Sequence, residues 1–162
     1  MKNWHLKLTR TFLKNKLYVK KESNTKATNA ILAKDIDFKK ELSLENDLER
    51  ALLQDEEFIR GLHWGVPRYG HPEGQIYRHI REVFENIDKL ELPTSTRSRL
   101  RLITLAHDTF KFKEDKGFPR NWQKHHGVLG RQYLEQFTKD KAILDITELP
   151  DQAYYSWRAT HL

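Results

Sequence analysis

Apolar residues recur every three or four positions along most of the chain, which is the spacing of one face of a helix. This pattern predicts helices over residues 43–62, 75–90, 95–111, 121–137 and 141–149, and a further helical segment over the last residues. Ser43 is expected to cap the first helix. The segment GVPRYGHPEG (65–74) is rich in glycine and proline and predicts a loop. Period-two alternation is found mainly in WHLKL near the start, so the expected fold is all-α.

Charge divides the chain into two parts. The net charge is +6 over 162 residues, and it arises in residues 1–34, which hold nine lysines and arginines and the single acid Glu22. We therefore expect a basic, partly flexible N-terminal extension over residues 1–34 and a helical domain over residues 35–162. The polar run ESNTKATN (22–29) reads as a linker. The extension can attract nucleic acid or an anionic membrane surface, or it can be a solvated arm. Trp4, Leu8 and Phe12 recur at helical spacing, so it can also dock on the domain.

The composition excludes several classes of protein. There is no cysteine, so neither a disulfide framework nor a thiolate metal site can form. No apolar run approaches the roughly 18 residues that a membrane-spanning helix needs, and the N-terminus lacks the apolar core of a signal peptide. A cytoplasmic location is the expectation from these features.

Three histidines lie on the apolar stripes of three successive predicted helices. They are His79, His107 and His126, and Asp108 follows the second of them. Each histidine alone is typical of a core residue with hydrogen-bonded ring nitrogens. Together they favour a site for a divalent ion such as Mn²⁺, Fe²⁺, Co²⁺, Zn²⁺ or Mg²⁺, because imidazole and carboxylate are the ligands of such ions. The ion would also supply the positive charge that a buried Asp108 requires.

This ordered set resembles the HD superfamily of metal-dependent phosphohydrolases over roughly residues 58–158. The matching positions are His79 in QIYRHIREV and His107–Asp108 in LAHDTFK, with Lys111 three residues after the aspartate. HHGVLGRQYL (125–134) is similar to the HGxxG segment of the dinuclear branches, with His126 as the better match and His125 beside it. The resemblance implies a compact helical HD-type domain with hydrolase activity.

Two positions depart from the family pattern. Pro150 stands where the dinuclear branches carry another histidine, so one ion is expected, with two as the alternative. The family also uses a final aspartate on a later helix. Asp151 is the nearest substitute and Asp145 the next. Because the sequence stops at Leu162, we expect the domain to be short of its C-terminal helices.

The resemblance implies a role for each matching residue. The expected metal ligands are His79, His107, Asp108, His126 and Asp151. Asp108, Lys111 and His71 are the expected catalytic residues, and Arg68, Lys111 and His125 are the expected substrate-binding residues. Arg68 and His71 are not part of the family pattern but lie in the loop RYGHPEG just before the His79 helix, where Arg68 could bind a phosphate oxygen and His71 could protonate a leaving group. The alternative for this loop is an ordinary polar turn.

The implied function is hydrolysis of a phosphomonoester or phosphodiester in a nucleotide or a related small phosphorylated compound. One alternative is a catalytically degenerate HD-type module that binds or regulates a partner. Another is an ordinary helical protein whose histidines belong to the core.

Overall fold

The computed structural model describes residues 36–161, except for the side chains of residues 153 and 154. The features predicted within residues 1–34, namely the basic extension, its linker and the alternating WHLKL segment, lie outside the described residues. Within them the chain forms α1 (Phe38–Glu41), α2 (Asp47–Leu52), α3 (Glu56–Leu62), α4 (Ile76–Asp88), α5 (Thr94–Ala106), α6 (His126–Leu134), α7 (Lys141–Glu148) and α8 (Pro150–His161), with 3₁₀ turns at Lys111–Lys113 and Trp122–Lys124. The all-α prediction is confirmed, since the described residues contain an isolated bridge but no strand. None of the described helices has the length and apolar character needed to cross a membrane.

The first predicted helix is divided into two, and the prediction that Ser43 caps it is wrong. Ser43 has a positive φ of 45°, which is not the conformation of an N-cap residue. Asn46 caps α2 instead, because its side chain accepts a hydrogen bond from the Glu49 amide at 2.9 Å. Asp55 caps α3 in the same way, through the amides of Glu57 and Phe58. Two capping side chains within ten residues thus start two short helices.

The buried face of the domain is continuous from α4 through α5 to α7. The apolar stripe that predicted α4 is buried at Ile76, Ile80, Phe84 and Ile87 and half-buried at Val83. The stripe that predicted the next helix was Leu100, Ile103 and Phe110. Phe110 is buried, but within α5 the buried face is displaced, since Leu102 and Leu105 are buried whereas Leu100 and Ile103 are half-buried. The helix α5 packs against both α4 and α7, and α6 packs against α7. The helix α5 therefore contacts α4 on one side and the α6–α7 pair on the other.

Two glycines let the start of α6 approach its neighbours closely. A Cβ atom on Gly127 would lie 2.4 Å from the Glu148 carbonyl oxygen at the end of α7, and one on Gly130 would lie 2.8 Å from that of Ala106 at the end of α5. Both distances are shorter than the contacts that real side chains make. The glycines of the HGVLG segment therefore allow the histidines at the start of α6 to lie beside the end of α5.

Gly61 provides a direct test of the packing around this region. We expect Gly61→Ala to lower the free energy of unfolding by about 3 kcal/mol, because overpacking a rigid site carries a cost of this order. The new Cβ atom would lie 2.1 Å from the backbone oxygen of Thr109, which cannot move without moving Asp108. Urea unfolding followed by circular dichroism measures the change.

The matched control is Gly117→Ala. There the nearest atom is the end of the Asp115 side chain, at 3.0 Å, and this side chain can rotate away. Its unfolding free energy should change by less than about 0.5 kcal/mol. Equal effects of the two variants would show that the contact between Gly61 and Thr109 is not tight.

Candidate metal centre

The His107–Asp108 pair lies where α5 ends, and not inside a helix as the periodicity predicted. Side chains take the place of backbone donors at the last turn. The ring nitrogen Nδ1 of His107 hydrogen-bonds to the Thr104 carbonyl oxygen at 2.8 Å, and the Thr109 hydroxyl donates to the Leu105 carbonyl. The backbone of His107 itself keeps a helical conformation, with φ −56° and ψ −36°, so the side chains of His107 and Asp108 leave the chain about 100° apart. Their ends nevertheless meet, since Nε2 of His107 lies 3.6 Å from Oδ2 of Asp108.

His79, His107 and Asp108 form a compact group of candidate metal ligands. The Nε2 atoms of His79 and His107 are 3.3 Å apart, and Nε2 of His107 lies 3.6 Å from Oδ2 of Asp108. One ligand atom from each residue lies within 4.8 Å of the other two. Since Nδ1 of His107 donates its proton to Thr104, its Nε2 atom carries the lone pair that a metal ion requires. The group can hold one divalent ion through three protein ligands, the number found in many catalytic sites.

His126 approaches Asp108 from the opposite side. Its Nε2 atom lies 3.6 Å from Oδ1 of Asp108, is buried, and lacks a hydrogen-bond partner among the described residues. Its Nδ1 atom lies 3.3 Å from a carboxylate oxygen of Glu114. A carboxylate that accepts the Nδ1 proton of a histidine is a common support of metal ligands. His126 is not a member of the compact group of His79, His107 and Asp108, so its role as a further ligand of the same ion stays a prediction.

Burial keeps the candidate histidines in the form that binds metals. It lowers the pKa of His79, and the neighbouring His107 lowers this pKa further. Burial likewise lowers the pKa of His126. Both imidazoles are therefore neutral near pH 7, with a lone pair available for a cation.

Asp108 is ionised although it is buried. Burial alone raises its pKa, but His107 and Lys111 outweigh this effect and hold the pKa below its ordinary value. Lys111 donates a hydrogen bond to Oδ2 of Asp108 at 2.6 Å. The carboxylate thus has one cationic partner from the chain, while its Oδ1 atom faces His126.

His125 and Asp151 form a contact beside this group. Nε2 of His125 lies 3.3 Å from Oδ2 of Asp151, and the same oxygen lies 3.9 Å from Nε2 of His126. Asp151 is not a member of the compact ligand groups among the described residues. Asp145, the other candidate for the final aspartate, lies on α7 and pairs with Arg131 of α6 and Lys141 of α7. The role of Asp151 as a metal ligand stays a prediction.

Arg68 and His71 line a small cavity together with members of the ligand group. The cavity also includes His79, Asp108 and Lys111, and its volume is about 20 Å³, enough for one ion or water molecule. Nδ1 of His71 lies 3.1 Å from the Glu73 carboxylate, which orients the ring. The side chains of Arg68 and His71 are otherwise exposed, as suits residues that meet an incoming ligand.

Glu114 is the residue of this site that the sequence did not indicate. It lies after the 3₁₀ turn Lys111–Lys113, where no periodicity marks a buried face, yet only 4% of its side chain is exposed. Burial raises its pKa, but a hydrogen bond from Arg120 and the proximity of His126 outweigh burial and lower it. Glu114, His125 and His126 form a second group of candidate ligands. Because Nδ1 of His125 accepts a hydrogen bond from the Gly127 amide, the proton of the neutral ring is on Nε2, and this atom is a poor metal ligand.

We expect Glu114→Ala to weaken metal binding by about 10- to 100-fold, since loss of a carboxylate that orients a ligand has this effect. Glu114→Gln should retain most of the affinity, because the amide oxygen of the glutamine can still accept a hydrogen bond from Nδ1–H of His126. Calorimetric titration of the metal-free protein with Mn²⁺ gives both values. If the two variants bind Mn²⁺ as the parent does, Glu114 does not orient a ligand.

Comparison of the chain with protein-family models, with curated proteins and with solved structures gives no match. Function is therefore inferred from the geometry of the site.

Proposed function

We propose that this protein is a metal-dependent phosphohydrolase of the HD type, acting on a phosphomonoester or phosphodiester of a nucleotide or a related small compound. One observation carries the proposal. His79 lies on α4, His107 and Asp108 follow the end of α5, and His79 and His107 are 28 residues apart in sequence, yet the ligand atoms of the three residues converge within 4.8 Å. The order of these residues and the position of Lys111 match the pattern that the sequence resembles.

The residues that would hold the ion are His79, His107 and Asp108, with His126 as a fourth ligand. The unpartnered Nε2 atom of His126 fits such an ion, and so does the lone pair on Nε2 of His107, which faces Nε2 of His79. A divalent ion supplies Lewis-acid chemistry, since it polarises a phosphoryl oxygen and makes hydroxide available near neutral pH. The proposal is open to Mn²⁺, Fe²⁺, Co²⁺, Zn²⁺ or Mg²⁺ as this ion.

The remaining residues act on the phosphate directly. Lys111 and Arg68 border the same cavity as Asp108, so their charges can offset the charge that develops on the phosphate in the transition state. His71 lies at the same cavity and is oriented by Glu73, which suits the transfer of a proton to a leaving oxygen. Each of these groups is a donor, as an anionic substrate requires.

Replacement of Lys111 separates catalysis from metal binding. Lys111→Met should keep the bound ion and lower kcat/KM for p-nitrophenyl phosphate or its diester by at least about 100-fold, because one charge donor to the transition state has an effect of this order. The control is Lys113→Met, since Lys113 pairs with Glu57 at the surface. This control should hydrolyse the ester at the parent's rate. Equal activity of parent and Lys111→Met would contradict the assignment.

A catalytically degenerate binding module is the second candidate, and one observation favours it. Lys111 already neutralises Asp108, so the group is electrostatically balanced without an ion. Such a module would show the same melting temperature with and without a chelator, and no ester hydrolysis with any added divalent ion. The hydrolase should instead be stabilised by the ion, because a ligand that binds only the folded state raises its stability.

A further inference from the structure

A second and larger cavity lies beside the candidate metal centre. Its volume is about 240 Å³, and its walls include Trp122, Gln123, His125, Leu149, Asp151 and Gln152. It shares no lining residue with the small cavity that contains Asp108 and Lys111. The two cavities are nevertheless close, because His126 contacts Asp108 of one and Asp151 of the other at 3.6 and 3.9 Å.

His125 places a hydrogen-bond donor in the wall of this cavity. It is 4% exposed, and its Nδ1 atom accepts a hydrogen bond from the Gly127 amide at 3.2 Å. The proton of the neutral ring is therefore on Nε2. That atom is buried and lies 3.3 Å from Oδ2 of Asp151, although the approach does not meet hydrogen-bond geometry. His125 therefore faces the Asp151 carboxylate, whose side chain is 36% exposed and can accept further hydrogen bonds from a ligand in the cavity.

The other polar groups of the cavity are mainly acceptors. Asp151 presents a partly exposed carboxylate, and Glu148 presents another, which also pairs with Arg131. Gln123 and Gln152 add amides that can donate or accept. No lysine or arginine is among the lining residues. This wall suits a neutral group that carries N–H donors, and it disfavours a phosphate.

The two cavities therefore differ in charge. The small one is bordered by the cations Arg68 and Lys111, whereas the larger one is apolar on the side of Trp122 and Leu149 and rich in acceptors elsewhere. Its 240 Å³ is below the roughly 300–1,000 Å³ of sites for drug-sized ligands, so it suits one ring system. We propose that this cavity is a nucleobase subsite that selects bases with an exocyclic amino group.

The inference that a phosphate lies beside this subsite rests on the proposed function. The subsite itself can be tested with ligands that have no phosphate. Cytidine and uridine have no phosphate and differ at one ring position, where cytidine carries an amino group and uridine an oxygen. Binding of each nucleoside to the full chain is measured by saturation-transfer NMR. We expect cytidine to bind at least about tenfold more tightly, since hydrogen bonds to charged groups have effects of this order.

Asp151→Asn is the variant that probes the acceptor. It replaces one carboxylate oxygen by an amide donor and should bring the two affinities to within about twofold. The matched control is Asp145→Asn, because Asp145 lies outside the cavity lining, and it should keep the preference for cytidine. Trp122→Ala changes a half-exposed side chain, so the variant should fold, and it should weaken the binding of both nucleosides.

Two results would overturn the subsite. One is equal binding of cytidine and uridine to the parent, including no binding of either. The other is a preference for cytidine that survives Asp151→Asn. If the preference is found but no phosphoester is hydrolysed with any divalent ion, the subsite stands and the proposed hydrolase function fails. If a phosphoester is hydrolysed but cytidine is not preferred, the hydrolase function stands and the subsite fails.

Discussion

Asp108→Ala should weaken Mn²⁺ binding by at least about 100-fold and abolish phosphoester hydrolysis. Loss of a residue that only orients a ligand weakens metal binding by about 10- to 100-fold, so loss of a ligand should weaken it at least as much. Asp108 is the only carboxylate in its compact ligand group among the described residues. Without it, His79 and His107 present neutral nitrogens and no charge to a cation. Calorimetric titration and elemental analysis measure the effect.

The variant should still fold. Lys111, which loses its partner, has 22% of its side chain exposed and can turn towards water. Asp145→Ala is the control, since Asp145 lies outside the compact ligand groups and pairs with Arg131 of α6 and Lys141 of α7. It should bind Mn²⁺ as the parent does. Parent-like binding by Asp108→Ala, with the fold retained, would exclude this group as the metal site.

Glu49→Ala should lower the free energy of unfolding by about 3–5 kcal/mol, because removal of one partner leaves a buried charge without compensation. Glu49 and Arg101 are each 1% exposed, and Arg101 donates to both carboxylate oxygens at 2.9 and 3.1 Å. The guanidinium also lies 3.8 Å from the ring centre of Phe84. This loss would be a large part of the 5–15 kcal/mol that stabilises a typical domain. Urea unfolding measures it.

Two further variants separate the buried pair from other effects. The double variant Glu49→Leu, Arg101→Met should recover most of the loss, since apolar residues of similar volume often replace a buried pair without cost. Asp47→Ala removes an exposed pair with Arg50 from the same helix and should change stability by less than about 1 kcal/mol. A Glu49→Ala variant as stable as Asp47→Ala would contradict the importance of the buried pair.

The sequence predicted the helices well where apolar periodicity alone decides them, and less well where side chains end them. Residues 75–90 and 141–149 were predicted helical, and α4 and α7 agree within two residues at each end. The predicted helix over residues 95–111 ends at Ala106 instead, because His107 and Thr109 supply donors to its last carbonyls. Neither glycine nor proline marks that end. Side-chain capping of this kind depends on rotamers that a hydrophobic pattern does not contain.

The candidate ligands could be found from sequence because they interrupt apolar stripes. His79, His107 and His126 were identified in this way, and the structure places them around Asp108. Glu114 could not be identified, because it lies in an irregular loop and is buried only through tertiary contacts. The ring proton of His125 could not be assigned either, since it depends on a single hydrogen bond to Gly127. Position on a helix is encoded locally, whereas the partner of a ring nitrogen is not.

The central claim is that His79, His107 and Asp108 together bind a catalytic divalent ion. Anomalous diffraction from crystals grown with Mn²⁺ tests it most directly. We predict a peak at coordination distance from the Nε2 atoms of His79 and His107 and from the Asp108 carboxylate, with Lys111 displaced from Oδ2. Crystals without a peak at this position, in which Lys111 still pairs with Asp108, would contradict the claim.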